Sequence, residues 1–115
     1  MKARTHKVCL EDIWEAMDKI ERYIKGLTYQ TFVKREMAVD AVIRNLEIIG
    51  EASRNIPDSV RDKYADIPWR RMVGLRNIVI HQYFGVDLSI IWKIITENLP
   101  ETKPKIASML KHFDG

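Results

Sequence analysis

Apolar residues recur every three or four positions through most of the chain, the spacing that places them along one side of an α-helix. The first such segment runs from about Lys7 to Lys25, and its apolar positions are Leu10, Ile13, Trp14, Met17, Ile20 and Ile24. Gly26 is expected to end this helix. No stretch of the sequence alternates apolar and polar residues as a strand does. The pattern therefore predicts an all-α fold.

The second predicted helix runs from about Tyr29 to Asn55 and is apolar around much of its circumference. Its main stripe consists of Met37, Ala41, Val42, Leu46, Ile49 and Ile56, and Val39, Ile43 and Ile48 broaden it. Such a width predicts contact on two sides, one inside a bundle and the other with a second copy of the chain. Because Gly50 costs up to about 1 kcal/mol relative to alanine in a helix interior, we expect a close helix approach or a bend there.

Proline and glycine divide the remaining sequence into shorter segments. Pro57-Asp58 begins a connecting helix that ends near Tyr64, and a third long helix is expected from Trp69 to about His81. Gly74 is expected to allow close packing of this third helix, as Gly50 does in the second.

A fourth helix is expected after Asp87, which is placed to cap it. Leu99-Pro100 and Pro104 are expected to interrupt or kink it before a final turn or two, Lys105 to Phe113. Together these elements predict an antiparallel bundle of four or five helices in a single domain, residues 1–115.

Composition is that of an ordinary soluble protein, with 46% apolar and 30% charged residues among 115. No apolar run approaches the roughly 18 residues needed to cross a bilayer, and the N-terminal stretch turns acidic before a signal-peptide core can form. We therefore expect a cytoplasmic protein without membrane contact. Cys9 is the only cysteine, so no internal disulfide forms and a buried thiol is expected.

The net charge of +3 is modest, but its distribution is uneven. Between Arg61 and Tyr83 five basic residues face two acidic ones, and the rest of the chain is neutral. The basic residues are Arg61, Lys63, Arg70, Arg71 and Arg76. A local positive field of this kind favours a polyanion such as a nucleic-acid backbone. A solvated helix face is the alternative interpretation.

Four chemically versatile side chains lie within eight positions of that region: Arg76, Asn77, His81 and Tyr83. Arg76 and Tyr83 share a helix face, and Asn77 and His81 share an adjacent one. Arg76 and His81 are about 140° apart around a helix, so their tips converge only if the helix ends near His81 or a second chain completes the site.

No metal or cofactor is expected, because the sequence has no HExxH, no cysteine-rich pattern and no glycine-rich phosphate loop. RNA can be cleaved without either, since its 2′-hydroxyl attacks the adjacent phosphorus. Histidine suits the roles of base and acid, and arginine can pair with the phosphoryl oxygens. A two-fold dimer would bring two copies of Arg76 and His81 together. The alternative is that His81 is a structural residue whose ring hydrogen-bonds a carbonyl at the helix end.

The second helix also carries Arg44, Glu47 and Glu51 at helix-neighbour spacings. Two carboxylates one turn apart can serve as acid and base. Salt bridges to Arg44 and to a distant arginine are the more expected use of these carboxylates.

The motif Arg76-x4-His81-x-Tyr83, preceded by Trp69 and Gly74 and followed by Val86-Asp87, resembles the RX4HXY signature of the HEPN superfamily, specifically its HepT-like toxin branch. The segment from Arg44 to Ala52 resembles the second-helix block of that branch. The resemblance covers most of the chain.

This resemblance implies a helical bundle that forms a symmetric homodimer with its motifs facing each other. It also implies a metal-independent endoribonuclease acting as the toxin of a type VII toxin–antitoxin pair. Carried over by position, Arg76 and His81 would be catalytic and Asn77 would assist or orient. The antitoxin would be a minimal nucleotidyltransferase that transfers AMP from ATP onto Tyr83, where the added phosphate would occupy the substrate phosphate's position.

Two other functions fit the same residues. One is a non-catalytic subunit that positions a nucleotide or substrate for the nucleotidyltransferase. The other is a purely structural dimerisation module. Replacing His81 by alanine separates them, because only a ribonuclease would lose cleavage while keeping its fold and partner.

Overall fold

The computed structural model describes residues 5–82 and 87–112, without the side chains of His81 and Gln82. Within these ranges the chain forms helices and no strand. In chain order the helices are α1 His6–Ile24, α2 Tyr29–Lys34, α3 Glu36–Arg54, α4 Asp58–Arg61, α5 Trp69–Gln82, α6 Leu88–Lys93 and α7 Leu99–His112. A 3₁₀ turn, Asp62–Tyr64, follows α4, and a π-helical segment, Ile94–Asn98, joins α6 to α7. The all-α prediction is confirmed.

The long helix α3 lies at the centre, with α1 against one side and α5 against another, and α7 packs on α1. The core follows these contacts, because the apolar stripe of each helix faces its neighbours. Its fully buried members include Leu10, Ile13, Met17, Ile20, Leu46, Ile49, Ile106 and Met109. Cys9 is buried as predicted. Within the described residues, none of the helices combines the length and the apolar character needed to span a bilayer.

Local signals define the ends of α1 and α6, and Gly26 and Asp87 act there as the sequence predicts. The hydroxyl of Thr5 accepts a hydrogen bond from the N–H of Val8 and caps α1. Gly26, with φ +78°, takes the left-handed conformation that follows the end of this helix. Asp87 caps α6 by accepting from the N–H of Ser89 at 2.9 Å, and that hydrogen bond lowers the pKa of Asp87.

The prediction of one helix from Tyr29 to Asn55 is wrong, because the chain turns at Arg35 (φ −98°, ψ 85°) and divides it into α2 and α3. Phe32 of α2 packs on Trp92 of α6, with ring centroids 5.1 Å apart, whereas α3 runs between α1 and α5. The two segments therefore have different partners. Met37, assigned to the apolar stripe, is 87% exposed in the first turn of α3.

The expected interruption or kink near Leu99-Pro100 takes the form of the π-helical segment Ile94–Asn98, directly before Leu99. The helical path continues through the π segment, where the N–H of Leu99 donates to the carbonyl of Ile94, five residues back. Proline in an α-helix clashes with the carbonyl four residues earlier. Pro100 lies in the first turn of α7, directly after the wider π turn, and Pro104 is accommodated inside α7.

Gly50 is closely packed against a neighbouring helix, whereas Gly74 faces open space in the part of the chain that the structure describes. A Cβ at Gly50 would lie 3.1 Å from the backbone nitrogen of Arg76, which confirms the predicted close helix approach. A Cβ at Gly74 would meet no atom of the described residues within 4 Å. The prediction of close packing at Gly74 is therefore wrong.

Candidate functional site

Helix α5 presents Arg76 at the edge of its contact with α3. Met72, Leu75 and Val79 are buried on the inner side of α5, and Arg76 and Asn77 are exposed. The absence of a side chain at Gly50 lets the backbone of α5 approach α3 at Arg76. The sequence therefore fixes where the guanidinium emerges, because a larger residue at position 50 would push the two helices apart.

Arg76 is paired with Glu51 of α3. Its Nη1 donates to Oε2 of Glu51 at 3.3 Å, and the two side chains are 48% and 52% exposed. A guanidinium has five N–H donors in a planar fork. With half of its surface in solvent, Arg76 keeps donors available for an anion while Glu51 restrains its position.

A groove of about 560 Å³ lies beside this pair, between α1, α3 and α5. It brings together four of the predicted residues, Arg44, Glu47, Glu51 and Arg76. Arg44 pairs with Glu47 at 3.8 Å, so both expected ion pairs of the second-helix carboxylates are present. The groove thus alternates positive and negative groups next to an accessible arginine.

The other motif residues are described only in part. Asn77 is exposed on α5, and the backbone of His81 belongs to the same helix, which ends at Gln82. Because His81 is still helical, its position remains about 140° from that of Arg76 around the helix. Tyr83 lies outside the described residues, as does the side chain of His81.

The local excess of positive charge is smaller at the surface than in the sequence. Arg70, Arg71 and Arg76 are exposed on α5. Arg61 is instead half-buried, and its guanidinium donates to the carbonyls of Ile56 at 2.8 Å and Ser53 at 2.9 Å. It thereby caps the C-terminal end of α3, where a positive charge also complements the helix dipole. The N–H donors of Arg61 are therefore engaged within the chain and not offered to a polyanion.

The family model described as ribonuclease HepT-like matches residues 13–109. The chain belongs to the HepT-like family. A protein of Methanocaldococcus jannaschii whose name proposes an RNase is 45% identical over 106 residues, covering 92% of this chain and 97% of the relative. A protein of Thermococcus cleftensis, whose name proposes ribonuclease HepT, is 44% identical over 108 residues, covering 94% and 98%. No solved structure matches the chain significantly.

Sequence reasoning missed three residues with polar or thiol side chains that line the groove of this HepT-like chain. Cys9 and Asp12 come from α1, and Asn55 follows Glu51 by one turn at the end of α3. The spacing of Asn55 from Glu51 was a usable signal. Nothing in the sequence pairs α1 with this face of α3, so Asp12 and Cys9 could be found only from the packing.

Proposed function

We propose that this HepT-like chain is a metal-independent endoribonuclease whose active site is completed by a second copy of the chain. The observation that carries the proposal is the half-exposed Arg76, held by Glu51 beside an open groove. Family membership and the relatives named as proposed ribonucleases support the same reaction class.

In the proposed reaction the ribose 2′-hydroxyl attacks the adjacent phosphorus while His81 accepts its proton. The bond from phosphorus to the 5′-oxygen breaks, and a protonated histidine supplies the proton to that leaving oxygen. Arg76 pairs with the phosphoryl oxygens as their negative charge increases. Glu51 restrains Arg76, and Asn77 assists in orienting the substrate.

A symmetric dimer resolves two difficulties of a single chain. One motif histidine fills only one of the two proton-transfer roles, and Arg76 and His81 lie on faces about 140° apart. Ile80, the residue before His81, is 46% exposed on α5. Met37, 87% exposed, precedes Arg44 and Glu51 by seven and fourteen residues on α3 and shares their face. These exposed apolar residues support contact with a second copy on the same side as the groove.

The direct test is cleavage of RNA by the purified protein in the presence of EDTA. Replacing Arg76 or His81 with alanine should lower the rate by about 10²- to 10⁴-fold. Arg54→Ala is the matched control, because Arg54 is exposed on α3 and does not line the groove. Cleavage that stops with EDTA, or survives both substitutions, would contradict the mechanism. A protein that binds a nucleotidyltransferase but never cleaves RNA would instead be an accessory substrate-binding subunit.

We further propose that the enzyme is the cytoplasmic toxin of a type VII toxin–antitoxin pair. A minimal nucleotidyltransferase would attach AMP to Tyr83: the phenolic oxygen bonds to the α-phosphorus of ATP and pyrophosphate leaves. The new phosphate would pair with Arg76 and exclude RNA. Mass spectrometry after incubation with ATP and the partner should show one added AMP group. Tyr83→Phe should stay unmodified and active under the same conditions.

A further inference from the structure

A second cavity, of about 420 Å³, lies on a different side of α5 from the Arg76 groove. Met72, Leu75 and Ile78 of α5 form one apolar wall, and Ile94 and Leu99 form the opposite one. We call it the α5–α7 pocket. Its volume falls within the range of small-molecule sites, and two apolar walls with a few polar groups at the rim are the usual composition of such sites.

Two backbone features contribute to this opening. Gly74 lies in the wall of the α5–α7 pocket, and a Cβ there would meet no described atom within 4 Å. A glycine inside a helix is destabilising relative to alanine. The π segment supplies Ile94 and Asn98 to the opposite wall, and π turns occur frequently at functional sites. Gly74 thus leaves one wall of the pocket open, and the π segment forms part of the other.

The polar groups of the rim fall into two sets. Lys105 donates to the carbonyl of Asp66 at 3.1 Å, and the hydroxyl of Thr102 donates to the carbonyl of Asn98 at 3.0 Å. These groups hold the rim together. The exposed side chains of Asn98, Glu101 and Arg71 make no hydrogen bond or ion pair within the described part of the chain. An amide, a carboxylate and a guanidinium are therefore available to a ligand.

We propose that the α5–α7 pocket binds an unstacked nucleobase of the RNA substrate and prefers bases with an exocyclic amino group over uracil. The inference rests on the proposed ribonuclease function. Single-stranded RNA is recognised through bases that leave the stack, rest on apolar or planar groups and hydrogen-bond at their edges. The Glu101 carboxylate can only accept hydrogen bonds. An exocyclic amino group offers it two N–H donors, whereas the single N–H on the base-pairing edge of uracil lies between two carbonyl oxygens that repel a carboxylate. Arg71 can pair with a flanking phosphate.

The position of the pocket relative to Arg76 suits one RNA strand. The exposed side of α5 between them carries Arg70 and Asn77 and ends at Gly74, which has no side chain to obstruct a strand. A strand that places its scissile phosphate at Arg76 has to pass about half-way around one helix, a path of about 15–20 Å, to reach the pocket. The base in the pocket would thus lie within a few nucleotides of the cleavage point.

The first experiment measures binding without cleavage. Methyl NMR spectra of Ile78, Ile94 and Leu99 are recorded while adenosine, cytidine, guanosine or uridine 5′-monophosphate is added. The three amino-bearing nucleotides should shift these methyl signals at lower concentration than uridine monophosphate. Equal effects of all four, or no effect at all, would overturn the proposed base preference.

The second experiment measures cleavage of RNAs that differ only in the bases flanking the cleaved bond. Glu101→Ala should reduce the preference for amino-bearing bases over uracil about tenfold in kcat/KM. Glu97→Ala is the matched control, a glutamate one turn earlier in the π segment that does not line the pocket. The control should keep the wild-type preference.

The two experiments separate failure of the pocket from failure of the enzyme. Cleavage with unaltered preference in Glu101→Ala overturns the base subsite and leaves the ribonuclease in place. Nucleotide binding in the pocket without any RNA cleavage supports the base-binding site and contradicts the proposed ribonuclease function. Loss of nucleotidyltransferase binding in Glu101→Ala, with nucleotide binding unchanged, identifies the pocket as a protein-docking site and overturns the proposal.

Discussion

The glycines at positions 50 and 74 lie inside neighbouring helices, and alanine at each should have opposite effects. Gly74→Ala should raise the free energy of unfolding by about 0.5–1 kcal/mol, because it improves helix propensity where the new methyl group meets nothing. Gly50→Ala gains the same propensity but forces a Cβ to 3.1 Å from the backbone of Arg76. Because overpacking costs typically about 1–3 kcal/mol, the net effect should be destabilising. Urea unfolding at one protein concentration measures the change in the free energy of unfolding for both variants.

A second consequence separates Gly50→Ala from an ordinary loss of stability. Since the strain falls on the backbone of Arg76, RNA cleavage should fall in Gly50→Ala even at temperatures where the variant is fully folded. Equal stabilisation by both substitutions would show that α3 and α5 can separate without cost.

Ser53 is fully buried in α3, and its hydroxyl oxygen has no hydrogen-bond partner within the described ranges. Burial of an unsatisfied polar group costs about 1–3 kcal/mol. Ser53→Ala should therefore stabilise the fold by about 1 kcal/mol or more. Ser108→Ala, at an exposed position of α7, reports the gain from helix propensity alone. If Ser53→Ala raises the unfolding temperature no more than Ser108→Ala does, the hydroxyl of Ser53 has a hydrogen-bond partner.

At the scale of single residues, the sequence predicted what depends on neighbours along one helix. The pairing of Arg44 with Glu47 and the close approach at Gly50 both follow from spacing or residue type. The partner of Gly50, the engagement of Arg61 with α3 carbonyls and the entry of Asp12 into the groove depend on which helices meet. That information is absent from the periodicity of any single segment.

At the scale of elements, α1 and α5 could be predicted closely because their ends carry strong local signals. The break at Arg35 could not, since arginine is a good helix former and nothing in the sequence marks it. The division arises because Phe32 of α2 packs on Trp92 of α6, whereas α3 is held by α1 and α5. Pro100 did indicate an irregularity in the helix, and the irregularity is a wider, π-helical turn rather than a break in the helical path.

A charged cluster joins α7 to α1. The Nζ of Lys103 lies 3.0 Å from Asp18 and 3.3 Å from Glu21, and 4.9 Å from the ring centroid of Trp14. The hydrogen bond from Lys103 is the largest cause that lowers the pKa of Asp18 below 3.8. Burial lowers the pKa of Lys103, but the hydrogen bonds and charges of Asp18 and Glu21 outweigh it, so that pKa is raised above 10.5.

Lys103→Gln should therefore destabilise the protein most at neutral pH. The contribution of Asp18 is present above its unfolded pKa and is lost as the pH falls through its lowered folded pKa. The contribution of Lys103 is present below its unfolded pKa and is lost as the pH rises through its raised folded pKa. Urea unfolding of wild type and variant should show a difference in the free energy of unfolding that becomes smaller at low pH and at high pH. A difference that is constant with pH would assign the role of Lys103 to packing on Trp14.

At the scale of the whole molecule, the HepT-like identity could be predicted from one motif and one helix block, since both are local in sequence. The completion of the proposed site by a second copy could only be inferred, because contacts between two chains cannot be read from the spacing of residues in one. The 140° between Arg76 and His81 makes that inference testable. Two inactive variants should regain RNA cleavage as a mixed dimer if each chain supplies the catalytic residue that the other lacks.

We expect RNA cleavage to reappear when Arg76→Ala and His81→Ala chains are co-expressed and purified as mixed dimers. Such a dimer has one arginine from the His81→Ala chain and one histidine from the Arg76→Ala chain across the two-fold axis. Its activity should exceed that of either parent dimer and stay below wild type, because one arginine and one histidine are missing. Arg76→Ala combined with the Arg76→Ala, His81→Ala double variant should remain inactive, since no arginine is present. Mixed dimers as inactive as this control would contradict a site formed by one arginine and one histidine from opposite chains. Either both histidines of the dimer would then be required, or arginine and histidine would act within one chain.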